Sequence, residues 1–203
     1  MTSTSVICEW LAAHGSSCLE AFGFVTGTLN VWLVTRQNIW SWPLGVVNAL
    51  VYMFVFARTG LYSDTGLQAV YLLLSVYGWW HWWFGGVGHD SLRVSRTAAL
   101  SAVLLAAAAL CMWAILWSIT SRIPGVALPH IDAALVSLSL VAQWMMTRKL
   151  LECWIIWIVV DLAYVGLFVN RQLPLTAVLY AIFLVLAVSG HFRWSRSIGE
   201  RQQ

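Results

Sequence analysis

Apolar residues run through this chain in long stretches, and polar residues collect between them. An α-helix needs about 20 mostly apolar residues to cross a bilayer. On that basis the pattern predicts seven helices, over 18–35, 39–57, 62–84, 98–119, 130–147, 153–170 and 174–193. The first is the least apolar, with Thr26, Thr28 and Asn30, and its Gly23/Gly27 pair permits close helix contact. Residues 85–96 and 118–129 read as polar loops. Composition agrees: 61% of the 203 residues are hydrophobic and 9% charged, with a mean hydropathy of +0.79. A soluble domain is nearer a quarter charged. The chain reads as an all-α integral membrane protein, a single membrane domain over 1–203.

The basic residues orient the predicted helices. With seven spans, Arg36, Arg93, Arg96, Arg148, Lys149, Arg193, Arg196 and Arg201 fall on one side, and Arg58, Arg122 and Arg171 on the other. The excess marks the cytoplasmic face, so the N-terminus is expected outside and the C-terminus inside. The scatter of these residues gives no basic patch for nucleic acid. Residues 1–7 carry no positive side chain ahead of an apolar core, so no cleavable leader is expected. Cys8, Cys18, Cys111 and Cys153 form no CxxC pair and no metal-ligand spacing.

The chain also resembles itself. Residues 32–82 align without a gap onto 144–194 at an offset of 112, with 16 of 51 positions identical. The informative matches are Trp32/Trp144, Thr35/Thr147, Arg36/Arg148, Trp42/Trp154, Tyr52/Tyr164, Phe56/Phe168, Gly78/Gly190 and Trp82/Trp194. Extended by one helix, this predicts two three-helix units, 18–84 and 130–194, joined by the helix at 98–119. One intervening helix gives both units the same direction, a 3+1+3 parallel pseudo-repeat. In transporters of this design the substrate lies near the repeat interface at mid-membrane.

Asp161 is the one ionisable residue clearly deep in a span. A carboxylate there costs roughly 2.5–3.5 kcal/mol on insertion scales, so it must face protein, water or ligand. Trp154, Trp157 and Tyr164 share its helical face. In the first unit Trp42, Asn48 and Tyr52 occupy the second helix, and Gln68, which aligns with Tyr180, lies one turn from Tyr71 on the third. These residues would form one polar, ring-lined pocket for a small flat solute. Trp40, Trp79, Trp80, Trp82 and Trp83 lie near span ends, where tryptophan belts the membrane surface. Glu152 precedes the sixth helix, where an acid suits the N-terminal dipole.

Several segments resemble the PnuC family of bacterial vitamin transporters. They are Trp42-Pro43-Leu44-Gly45-Val46-Val47-Asn48 through Tyr52, Gly66-Leu67-Gln68 with Tyr77-Gly78-Trp79-Trp80-His81-Trp82, Trp154 to Tyr164, and Thr176-Ala177-Val178-Leu179-Tyr180. The resemblance implies a fold similar to the full-length SWEET transporters and a place in the bacterial inner membrane. It implies uptake of nicotinamide riboside, with thiamine, riboflavin or deoxynucleosides carried by close relatives. It further implies facilitated diffusion with trapping by cytoplasmic phosphorylation, no cofactor, and a homo-oligomer by analogy. The substrate contacts it implies are Trp42, Asn48, Gln68, Trp154, Trp157, Asp161, Tyr164 and Tyr180. Gly45 stands where the second unit has Trp157, so the first unit departs from the tryptophan pattern of the second.

The chemistry suits that expectation. Nicotinamide riboside and thiamine are flat cations, and a tryptophan face attracts a desolvated cation by about 2 kcal/mol. Riboflavin is neutral and larger. An intramembrane enzyme is a distant alternative, for the histidines lie at span edges and no HExxH or GxSxG occurs. No GxxxxGK[ST] loop and no arginine-rich span suggests a nucleotide-driven pump or a voltage sensor.

Overall fold

The computed structural model describes residues 18–58, 62–123 and 128–200. Residues 1–17, with Cys8 and the expected absence of a leader, lie outside the described residues, as does Arg201. The described residues form seven α-helices: α1 (Cys18–Thr35), α2 (Ser41–Arg58), α3 (Tyr62–Phe84), α4 (Ala99–Thr120), α5 (Pro129–Thr147), α6 (Cys153–Asn170) and α7 (Pro174–Gly199). Three helices match the predicted spans at both ends, three differ by one or two residues, and α7 runs six residues further. By length and composition α4, α6 and α7 can each cross a membrane. α1 and α2 hold shorter apolar stretches, Phe22–Thr35 and Ser41–Phe54. The chain is an all-α, multi-pass membrane protein.

Helices α1 and α5 end in the same way. In α1 the amide of Gln37 donates to Val34 O (2.9 Å) and that of Asn38 to Leu33 O (3.0 Å). In α5 Lys149 donates to Met146 O and Leu150 to Met145 O, both at 3.0 Å. This is the Schellman closure, and its left-handed residue is normally glycine. Here Gln37 (φ 54°) and Lys149 (φ 50°) take that conformation. Thr35 and Thr147 each bond back to the carbonyl of Trp32 and Trp144, at 2.7 and 2.6 Å. All of these pairs are 112 residues apart.

Four buried tryptophans join the helices. Trp42 and Trp82 meet edge to face at 5.2 Å, and Trp154 and Trp194 do so at 5.3 Å. Trp82 and Trp194 touch at 5.9 Å and link the two pairs. Trp82 Nε1 donates to Met146 O (3.0 Å), and Trp194 Nε1 donates to Val34 O (3.2 Å). Each indole therefore caps a helix of the other half. Gly78 and Gly190 give Trp42 and Trp154 their room, since a Cβ at either would strike the indole. The contacts bring together the C-terminal ends of α1, α3, α5 and α7 and the N-terminal ends of α2 and α6. Round the molecule, α1 packs on α2, α2 on α3, α3 on α5, α5 on α6, α6 on α7, and α7 on α1.

The cluster corrects one expectation. Trp82 is no belt residue: it is 2% exposed, and its N–H bonds the helix-end carbonyl of Met146 instead of facing the membrane surface. Trp40, Trp79, Trp80 and Trp83 are exposed.

Loop 85–98 is pinned to the α5–α6 corner. Ser95 N donates to Lys149 O, and Leu151 N to Ser95 O. Lys149 is buried, with Nζ 2.8 Å from Leu92 O and 4.3 Å over the Trp82 ring. Glu152 does not cap α6; its carboxylate accepts from the Thr97 amide (2.8 Å) and hydroxyl (2.6 Å). Burial pushes this carboxyl up, but the Thr97 bonds, a backbone amide and Arg96 hold it below the usual carboxylate range. Helix α4 packs on α5 and has no buried residue.

Replacing Gly190 by alanine overpacks Trp154 and is expected to cost about 1–3 kcal/mol. Thermal unfolding in detergent should show a lower midpoint for Gly190→Ala and none of that loss for Gly166→Ala, where a Cβ meets nothing within 4 Å.

Candidate functional site: a ring-lined cavity between the helices

Helices α1, α2, α3, α5, α6 and α7 all contribute to a cavity of about 760 Å³. That volume falls within the usual range for small-molecule sites, about 300–1,000 Å³. One end is floored by Trp42 and Trp154 of the tryptophan cluster. The other reaches Leu67 and Gln68 near the start of α3 and Leu173 and Leu175 before and within α7. Leu173 and Leu175 are about half exposed, 47% and 51%.

All ten residues singled out from the sequence line this cavity: Trp42, Asn48, Tyr52, Gln68, Tyr71, Trp154, Trp157, Asp161, Tyr164 and Tyr180. Their arrangement follows from helical spacing. On α6, Trp154, Trp157, Asp161 and Tyr164 descend one face in steps of three or four residues. On α2, Trp42, Gly45, Asn48 and Tyr52 do the same. The Tyr52 hydroxyl packs over Gly23 of α1. Tyr71 lies within hydrogen-bonding reach of Ser139 on α5. Aromatic rings line the second half: Tyr164 and Tyr180 are 4.7 Å apart, Phe168 stacks on both at 5.8 and 5.3 Å, and Phe183 meets Tyr180 edge-on.

Asp161 is 4% exposed and pairs with no basic side chain among the described residues. Four other lining atoms are buried without a protein partner: the indole nitrogens of Trp42, Trp154 and Trp157, and Asn48 Oδ1. Buried polar groups are normally satisfied. Here donors and an acceptor converge on one chamber beside a carboxylate. Among the described residues, no group of three or more His, Cys, Asp or Glu could hold a metal.

The sequence did not single out Asn30, Ser75, Ser139, Gln143 and Thr176 as site residues, yet they line the same cavity. The helical face carried a signal for some of them. Ser75 lies four after Tyr71 and seven after Gln68, and Gln143 lies four after Ser139. Nothing in the spacing marked Thr176.

A family model described as nicotinamide mononucleotide transporter matches residues 17–196. The chain belongs to that family. It is a membrane transporter, related to the PnuC proteins. The nicotinamide riboside transporter PnuC of Escherichia coli (strain K12) is 24% identical, covering 91% of this chain and 88% of that relative. The riboflavin/roseoflavin transporter RibM of Streptomyces davaonensis is 28% identical over 86% of this chain and 83% of RibM. The PnuC of Neisseria mucosa is 27% identical over 90% of this chain and 73% of its own length. A crystal structure of the vitamin B3 transporter PnuC superposes with a TM-score of 0.73 at 23% identity, covering 97% of this chain and 88% of that one. The two chains therefore share a fold.

A carboxylate that no cation neutralises weakens the empty protein. Asp161→Asn, without ligand, should unfold at the same or a higher temperature, with a gain on the order of 1 kcal/mol. A clear loss of stability in detergent would make Asp161 a strut between helices instead.

Proposed function

We propose that the protein takes up nicotinamide riboside by facilitated diffusion, with cytoplasmic phosphorylation trapping the product. The observation that carries this reading is Asp161: a buried carboxylate without an ion pair, set in a chamber of indole and phenol rings. A flat cation satisfies that carboxylate and offers its π-face to Trp157, while its polar groups reach Asn48 and Gln68. The names of the Escherichia coli and Neisseria mucosa relatives support the choice of cation. The ten lining residues named above are the proposed substrate contacts.

The proposal includes the 3+1+3 layout similar to SWEET transporters, with α4 as the joining helix. The duplicated helix closures, the exchanged Trp82 and Trp194 bonds and the matching ring of helix contacts support it. We place the basic side, where the tryptophans floor the cavity, in the cytoplasm of a bacterial inner membrane, with the N-terminus outside. The state described is then closed toward the cytoplasm. A homo-oligomer belongs to the same proposal by family analogy.

The RibM relative supports a second reading, a flavin. Asp161 weighs against it, because the flavin ring is neutral. Thiamine, also a flat cation, belongs in the same screen.

Titration calorimetry on purified protein should show nicotinamide riboside binding that falls roughly 10–100-fold in Asp161→Asn, the range for a hydrogen bond to a charged partner. Unchanged affinity would remove the charge argument. Proteoliposomes preloaded with unlabelled riboside should accumulate labelled riboside by counterflow without any ion gradient. Strict dependence on a proton or sodium gradient would reject facilitated diffusion.

A further inference from the structure

Corresponding positions of the two halves fill corresponding space with opposite chemistry. At the offset of 112, Asn30, Gly45 and Ser75 match Ala142, Trp157 and Ala187. In the second half both alanines are buried, at 0% and 1% exposure, and the residue matching Gly45 is the large Trp157. In the first half the large and small positions are exchanged. A Cβ added to Gly45 would sit 3.2 Å from both Asn30 Nδ2 and Ser75 Oγ, so these two polar groups hold the ground a tryptophan would take. Asn30, Gly45, Ser75 and Trp157 all line the cavity.

The polar side is also oriented. Asn30 Nδ2 donates to Ser41 O at 2.9 Å, which fixes the amide and leaves its second N–H as a donor and Oδ1 as an acceptor. One turn from Gly45, Asn48 Oδ1 is buried without a protein partner. At this depth the chamber therefore has an indole on the α6 wall and hydrogen-bonding groups on the α1, α2 and α3 wall. A ligand with a flat ring at one end and hydroxyls at the other fits it in one direction only.

We propose that Asn30 and Ser75, in the room Gly45 leaves, recognise the sugar hydroxyls and give the site its preference for ribosides over compounds that share only the ring. This rests on the nicotinamide riboside reading and adds to it an orientation and two specificity-determining residues. A polar site built for a hydroxyl discriminates strongly against the analogue lacking it, because its own groups are then left unpaired.

The test is equilibrium binding of nicotinamide riboside and its 2′-, 3′- and 5′-deoxy analogues to the full chain and to Asn30→Ala and Ser75→Ala. The corresponding half already carries alanine at both positions, and Ser75→Ala leaves the Asn30–Ser41 bond intact should Asn30→Ala fold poorly. Each variant should lose about tenfold on the full riboside and little on the analogue that lacks its contacted hydroxyl. Equal losses across the series, or no loss, would overturn the assignment while leaving the transporter reading standing. A wild type that binds the riboside no better than any deoxy analogue would also overturn it. A wild type that binds no member of the series sinks the nicotinamide riboside reading, and this inference with it.

Discussion

An indole N–H packed inside protein, away from the cavity, needs a protein acceptor, and for Trp82 and Trp194 that requirement organises the bundle. A helix leaves its last four carbonyls without intrahelical partners. Val34 O and Met146 O are two of these; each accepts from the amide of its own closing turn, Gln37 N or Lys149 N, and again from an indole of the opposite half. The bond itself is worth only about 0.5–1.5 kcal/mol net, but leaving the buried indole N–H unpaired costs about 1–3 kcal/mol. The geometry is therefore strongly selected. Gly78 and Gly190 follow from it, since only glycine lets Trp42 and Trp154 slide beneath the paired indoles. The floor of the cavity follows in turn, because the same two tryptophans form it.

Above that floor the near-symmetry relaxes. Trp157 stands where the first half has Gly45, and Asp161 lies one position out of register from Asn48. A symmetric chamber would present the same chemistry twice and suit a symmetric solute. The departures give it a ring-rich side and a hydrogen-bonding side, with a single carboxylate. The structural half of the repeat is thus conserved near the cluster, where both halves must solve the same packing problem. It diverges where the contents of the cavity, rather than the fold, set the requirement.

Much of this was legible in the sequence for a physical reason. Apolar runs long enough to span a bilayer are hard to mistake, and the helices fell within a few residues of them. The site was legible because polar residues inside such runs are costly and rare, so Asp161, Asn48 and Gln68 drew attention. What escaped was of two kinds. Helix ends at Gln37 and Lys149 carry no glycine, so their left-handed closures had no local signal. Trp82 was misplaced because tryptophan near a span end serves equally well in a lipid belt or as a buried donor. Only the position of Met146 O, distant in sequence, decides between them. Ser75 and Asn30 are not marked by residue type, since serine and asparagine in a membrane helix can equally well bond backbone; the Asn30 bond to Ser41 O, on the next helix, shows only in the fold.

The reciprocal bonds also bear on how the molecule is made. Residues 18–84 hold one donor, Trp82 Nε1, and one acceptor, Val34 O, whose partners lie later in the chain, on α5 and α7. The bond from Trp194 to Val34 O forms only once α7 is in place beside α1, so a helix made late in synthesis ties down one made early.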